Sequence, residues 1–262
     1  MDVTPQYSNG AKRSRVFGSS VIGPMHLQGE IPCQDACAYA VTAADAIVIA
    51  VADGLGSAAR SDAGASLAVS SAFSFCMTAS DSEPGEERRL EELVRDAAAH
   101  AREELERHAQ EAPCNLRDFG CTLIVVVATR HQFAVAHIGD GAVVAEIDGI
   151  LSLISSPGES EYTNEVVPLT STAWRDSLRI TSGASSISAI AVFTDGCQRA
   201  AFRKEVDTLV PFERFFIPIF NYARDVAEAD GAREVAELLA SPKLCEHSDD
   251  DKTLVVGVIE TD

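Results

Sequence analysis

Ala46-Ile47-Val48-Ile49-Ala50-Val51-Ala52 runs directly into Asp53-Gly54. Seven small or β-branched residues bounded by an Asp-Gly pair read as a strand that stops on a carboxylate. The pattern recurs. Gln34-Asp35 stands just before Ala36–Val41; Ala189-Ile190-Ala191-Val192-Phe193 leads into Thr194-Asp195-Gly196; Asp250-Asp251-Lys252-Thr253 precedes Leu254–Ile259. Strand ends held in a sheet can bring carboxylates from distant parts of a chain to one point. Hard oxygen donors gathered in this way suit Mg²⁺ or Mn²⁺ better than softer metals. The pattern therefore points to a metal-dependent enzyme.

Around that stretch, Ser14–Ile22 reads as a strand, followed by a loop through Gly23-Pro24-Met25-His26 to Gln34. Ala36–Val41 and Ala46–Ala52 form an expected strand pair. A small-residue helix is expected over Asp62–Met77 and an amphipathic one over Glu86–Gln110, with a breaker at Asp81-Ser82-Glu83-Pro84-Gly85 between them. Four closely spaced strands follow: Thr122–Ala128, Phe133–Ile138, Ala142–Ile147 and Ile150–Ile154. Their short connections predict an antiparallel meander, with Gly139-Asp140-Gly141 as one of its turns. Residues 155–188, with the lone Trp174, read as an irregular insert or flap. Helices are expected over Pro211–Glu228 and Ala232–Leu239, and Leu254–Ile259 as a closing strand. Residues 1–13 read as a mobile lead-in and 14–262 as one domain.

The chain of 262 residues is 46% hydrophobic and 23% charged, enough for a sizeable core. A formal charge of −19 argues against nucleic acid or an anionic membrane as the main partner. Seven cysteines, without a CxxC pair or an apolar leader at Met1–Tyr7, predict reduced thiols and a cytoplasmic protein. Cys33, Cys76, Cys121 and Cys197 are expected to be small buried side chains.

The ordered set Gln34-Asp35-Ala36, Asp53-Gly54-Leu55-Gly56-Ser57, Gly139-Asp140-Gly141, Thr194-Asp195-Gly196 and Asp250-Asp251-Lys252-Thr253 resembles the metal-dependent protein phosphatases of type 2C. The resemblance is especially to compact bacterial members and spans about residues 15 to 260. Any one motif is weak, since Asp-Gly is a common turn; five in the family's order are a strong signal. The resemblance implies an α+β fold, a four-layer αββα sandwich in which helices flank two antiparallel sheets. It implies two Mn²⁺ or Mg²⁺ ions, with a third held more weakly. Carried over by position, Asp53 would bridge both ions and the Gly54 carbonyl would add a ligand. Asp195 and Asp250 would join Asp53 on one ion, Asp35 would support the other, and Asp140 would share the third with Asp195. Asp251 stands where many members have Asn and is expected beside the ligands rather than among them.

The implied reaction is direct hydrolysis of phosphoserine or phosphothreonine in a protein substrate, opposing a Ser/Thr kinase, by a monomer. Asp53, Asp195 and His26 are the expected catalytic residues. His26 enters because many members carry an Arg shortly before the first Asp, where this chain has Glu30-Ile31-Pro32-Cys33. Two further departures are Leu55 in place of a histidine and Gly141-Ala142 in place of Ser-Arg. They touch phosphate binding and leaving-group protonation rather than the ligand set. They also motivate an alternative, a weak or inactive phosphatase-fold binding module. For Asp53 and Asp195 the competing reading is an ordinary turn aspartate capping the next helix. Ser57 and Ser61 are expected as helix caps, and His137 as structural.

Overall fold

The computed structural model describes residues 13–80, 89–111, 113–157, 166–206 and 208–260. In chain order these form β1 (Arg15–Val21), α1 (Pro24–Gly29), β2 (Ala36–Val41), β3 (Ile47–Ala52), α2 (Ser61–Ser80) and α3 (Leu90–Glu111). Next come β4 (Leu123–Ala128), β5 (Phe133–Ile138), β6 (Ala142–Ile147), β7 (Ile150–Ser155), α4 (Trp174–Ser177), β8 (Arg179–Gly183) and β9 (Ile187–Phe193). The chain closes with α5 (Gln198–Ala201), β10 (Phe202–Glu205), β11 (Thr208–Pro211), α6 (Glu213–Asp225), α7 (Glu228–Leu239), α8 (Pro242–Cys245) and β12 (Lys252–Val258). The lead-in expected at 1–13 lies outside the described residues except for Arg13, as do the breaker at 81–85 and residues 158–165 of the expected insert.

Two five-stranded antiparallel sheets carry the fold, in the orders β2-β3-β4-β5-β8 and β1-β12-β9-β6-β7. Strand alternation explains the layering. Ile47, Ile49 and Val51 of β3 face inward with Ile124, Val126, Ile190, Val192 and Val255, forming the core between the sheets. Val48, Ala50 and Ala52, the other parity, face α2 and α3. Each fully buried branched side chain contributes roughly 1.5–3 kcal/mol relative to exposure.

The outer layers differ in how they pack. Against the first sheet, Ala65, Ala68 and Ala72 of α2 meet alanines of β3, and a Cβ on Gly64 would lie 2.3 Å from the Phe119 carbonyl oxygen. Small residues let this helix approach closely. On the second sheet, Phe193, Phe202, Phe216 and Phe220 fill the gap beneath α6, with ring centroids 5.6–5.9 Å apart. The result is the αββα sandwich.

Three expectations need correction. The predicted meander is split, because β4 and β5 pair in one sheet while β6 and β7 pair in the other. Gly139-Asp140-Gly141 is therefore a crossing between sheets and not a hairpin turn. Gly139 adopts φ +112°, and a Cβ there would sit 2.5 Å from Thr122 Cβ. A Cβ on Gly141 would sit 2.7 Å from the Phe193 carbonyl oxygen, so the chain turns away where a hairpin would continue. The predicted loop after β1 contains α1, started by Pro24, whose fixed φ suits a first helical position. The predicted insert contains the edge strand β8, and Trp174 packs into the core beneath α3. The expected closing strand forms as β12 and lies between β1 and β9. The β10–β11 hairpin had no signal in the alternation of its residues.

Candidate metal centre

Register brings the acidic motifs to one end of the sandwich. Ala36 pairs with Ala52, so Asp35 and Asp53 lie side by side beyond the ends of β2 and β3. Phe193 pairs with Leu254 and also with Ala142, so Asp195, the 250–253 stretch and Asp140 share the matching end of the second sheet. Asp35, Asp53, Asp140, Asp195 and Asp250 therefore meet from both sheets.

Hydrogen bonds stitch this end together. Asp35 is buried, and its Oδ2 accepts from Thr194 Oγ1 and Thr253 Oγ1, both at 2.8 Å. Thr194 Oγ1 in turn accepts from the Thr253 N–H at 2.9 Å. The two threonines come from the second sheet, so Asp35 is a cross-sheet tie. Its Oδ1 is buried without a hydrogen-bond partner among the described residues. Asp53 is clasped by Thr122: its N–H donates to Thr122 Oγ1 at 2.9 Å, and its carbonyl accepts from the Thr122 N–H at 2.8 Å. The Gly54 N–H donates to the Gln34 carbonyl at 3.0 Å, and a Cβ on Gly54 would lie 2.7 Å from the Ser61 carbonyl oxygen. Only glycine fits this turn.

Asp195 opens a short 3₁₀ turn, Asp195–Cys197, immediately after β9. A Cβ on Gly196 would approach the Asp251 carbonyl oxygen to 2.0 Å, so the Asp-Gly pair is imposed by packing against the 250–253 stretch. Asp250 Oδ1 accepts from the Asp251 N–H at 2.8 Å. The Asp140 carbonyl accepts from Gln198 Nε2. Arg179, on the unforeseen strand β8, holds the same crossing by donating to the Gly139 carbonyl at 2.9 Å and to that of Ser156 at 3.2 Å.

Electrostatics sets these carboxylates apart from ordinary turn aspartates. Burial raises the pKa of Asp53, and the charges of Asp35, Asp195, Asp250 and Asp140 push it further in the same direction. Asp195 is raised by burial, then by Asp140 and Asp250. Asp35 is raised by burial, with the Thr253 and Thr194 hydroxyls opposing and Asp251 and Asp195 adding. Asp140 is raised chiefly by burial. Desolvated like charges favour protons or cations between them. Among the described residues no three His, Cys, Asp or Glu side chains are drawn into a finished metal cage. The five carboxylates stand instead as mutually repelling neighbours. The donor set is all oxygen, one buried oxygen lacks a partner, and the charge is in excess, so these residues fit hard divalent cations.

His26 lies elsewhere than the phosphate-facing position expected for it. The ring is 6% exposed, and its Nδ1 is 2.9 Å from Asp251 Oδ2. Its place is beneath the acidic end, not in its mouth. Ser61 begins α2, and its hydroxyl is buried without a partner among the described residues, so it makes no cap. His137 is fully buried with Nδ1 2.7 Å from Ser155 Oγ. Sequence reasoning passed over Thr122, Arg179 and the roles of Thr194 and Thr253. The two last threonines were already visible inside the motifs, adjacent to Asp195 and two residues after Asp251.

Two sheets flanked by helices, with carboxylates from both converging at one end, define the architecture of a type 2C phosphatase, and residues 22–240 match the family model described as protein phosphatase 2C. The chain belongs to that family. It is 31% identical over 252 residues to serine/threonine-protein phosphatase 3 of Escherichia coli (strain K12), covering 93% of this chain and 98% of that protein. Its fold matches the catalytic domain of the serine threonine protein phosphatase PstP, solved in complex with two manganese ions, with a TM-score of 0.65 and 18% identity over 95% of this chain and 99% of that one. It also matches serine/threonine phosphatase Stp1 of Staphylococcus aureus, with a TM-score of 0.63 and 13% identity over 99% and 100% of the two chains. Among the described residues no helix is long and apolar enough to cross a membrane.

Proposed function

We propose that this protein hydrolyses phosphoserine and phosphothreonine monoesters in proteins, with Mn²⁺ or Mg²⁺ held at the acidic end of the sandwich. The observation that carries the reading is the convergence of Asp35, Asp53, Asp140, Asp195 and Asp250 from both sheets on one end of the sandwich, with Asp35 Oδ1 buried and without a hydrogen-bond partner among the described residues. Asp53 would be shared between two cations, Asp195 and Asp250 would complete one, and Asp35 with the Gly54 carbonyl would serve the other. Asp140 with Asp195 would hold a third more weakly. Such cations, when bound, supply an acidified water as nucleophile and offset the charge of the phosphate.

The chain's own residues do the rest. Thr194 and Thr253 bind one oxygen of Asp35 and leave the other free to act as a ligand. Thr122 fixes the backbone of Asp53 and so the direction of its carboxylate. Gln198 and Arg179 hold the crossing that carries Asp140. The excess negative charge makes an unassisted phosphate unwelcome, so substrate binding and cation binding are coupled. We assign the activity to a single domain over residues 14–262, acting in the cytoplasm as a monomer against the products of a Ser/Thr kinase. The test is hydrolysis of a phosphothreonine peptide with Mn²⁺, with EDTA, and by Asp195→Asn. Turnover that requires both the metal and Asp195 supports the reading. A folded, Mn²⁺-binding protein with no turnover indicates a phosphatase-fold binding module instead.

A further inference from the structure

We propose that Asp251 and His26 are positioning residues: the buried Asp251 carboxylate, braced by the histidine, orients two of the residues assigned to the metals, Asp35 and Gly54, while the Asp251 backbone holds a third, Asp250. This rests on the metal-dependent reading above and adds a role for residues outside that set. Asp251 is 2% exposed, yet three donors converge on it. Its Oδ1 accepts from the Gly23 N–H at 2.7 Å, and its Oδ2 accepts from the Gln34 N–H at 2.6 Å and from His26 Nδ1 at 2.9 Å. A carboxylate only accepts, so His26 carries its ring proton on Nδ1. The segment from Gly23 to Gln34 is thereby pinned at both ends and in its helix to the base of β12. Met25 adds a backbone bond, its N–H donating to the Asp249 carbonyl at 3.0 Å.

Each assigned ligand nearby hangs from this hub by one or two covalent or hydrogen-bonded steps. Asp35 follows Gln34 in the chain. The Gln34 carbonyl receives the Gly54 N–H at 3.0 Å and so fixes the turn after Asp53. The Asp251 N–H holds Asp250 Oδ1 at 2.8 Å. Asparagine at 251 would present one oxygen and one NH₂ group to three donors, so at least one donor would face another donor. The carboxylate and the histidine therefore belong together: each explains why the other is buried. Burying an acid amid an already acidic cluster is costly, and the three donors are what offset it.

The test measures Mn²⁺ affinity by isothermal titration calorimetry for the wild type, Asp251→Asn, His26→Ala and His26→Asn. Each protein is first melted in EDTA, so that binding is compared on folded material. Residues that orient metal ligands change affinity by roughly 10–100-fold when altered. Asp251→Asn and His26→Ala are expected to weaken Mn²⁺ binding within that range, with kcat recovering at saturating Mn²⁺. His26→Asn, whose side-chain N–H can stand where the ring N–H donates, is expected to restore affinity to near the wild-type value. Unchanged Mn²⁺ affinity in folded His26→Ala, with only a lowered melting temperature, would overturn the inference. So would a His26→Asn variant as weak as His26→Ala. If Asp251→Asn does not fold, the two His26 variants decide the matter. Affinities that shift as expected in a protein unable to hydrolyse phosphopeptides support the positioning role while removing the phosphatase reading.

Discussion

The space between the two sheets and the acidic end it supports are built by the same strands under opposite rules. Between the sheets, Ile49, Val126, Ile190, Val192 and Val255 are fully buried and carry no polar side-chain atoms. One or two residues beyond the ends of β2, β3 and β9, Asp35, Asp53 and Asp195 are desolvated against one another, and Asp35 Oδ1 has no partner among the described residues. The first region is where burial stabilises the fold. The second is where burial costs stability and stores the affinity for cations that chemistry needs. A rigid apolar core, together with the hydrogen bonds of Thr122, Thr194 and Thr253, is what can hold such a rim in place against its own charge repulsion.

Removing a carboxylate from the rim gives the largest effect. Asp53→Asn is expected to lower Mn²⁺-dependent turnover of a phosphothreonine peptide by on the order of 10³-fold, about 4 kcal/mol in barrier. The same change relieves repulsion, so in EDTA the variant should melt no lower than the wild type. A lower melting temperature would mean the rim is not strained electrostatically, and the contrast would fail. The inverse change sharpens it. Ile49→Ala, at a fully buried inward position, should cost roughly 2–5 kcal/mol of stability by urea denaturation. Its kcat per folded molecule should stay close to wild type, because it removes packing and not a ligand.

His137 probes the boundary between the two regions. It points inward from β5 just before the Gly139–Asp140 crossing, and burial followed by the Arg179 charge lowers its pKa to about 3. The unfolded chain binds a proton there near the ordinary histidine value while the folded one does not. Stability therefore falls as pH drops below about 6.5, by up to about 1.4 kcal/mol per pH unit, until the folded pKa is reached. The raised carboxylates act in the opposite direction, but they are common to the wild type and His137→Leu. The difference between their stability-versus-pH curves should isolate the histidine. Equal slopes between about pH 6.5 and 4 would show that His137 is solvated and lies on the rim side.

Much of this was legible beforehand because period-two alternation and Asp-Gly strand ends are local signals. The stretch from Ala46 to Gly54 carries both, and it predicts a strand of the right length with a carboxylate at its end. The order of five motifs carried the family. What local signals could not carry was which strands pair. Gly139-Asp140-Gly141 reads as a hairpin by composition, and only the contacts of Thr122 and Phe193 with those glycines turn it into a crossing. Strand β8 was hidden because Arg179–Gly183 is half exposed at a sheet edge and shows little alternation.

The sequence by itself determined most of the strands and helices, the strand-end carboxylates and the metal-dependent chemistry they suit, because periodicity and donor type are properties of neighbouring residues; the layers were implied only by the family resemblance. Only the tertiary structure decided that His26 turns inward to Asp251, that Thr194 and Thr253 share Asp35, and that Arg179 guards the Asp140 crossing. Those contacts join residues up to 225 positions apart in the chain. A buried donor or acceptor takes whichever partner the packed sheets bring within reach, and that choice exists only once the strands have paired.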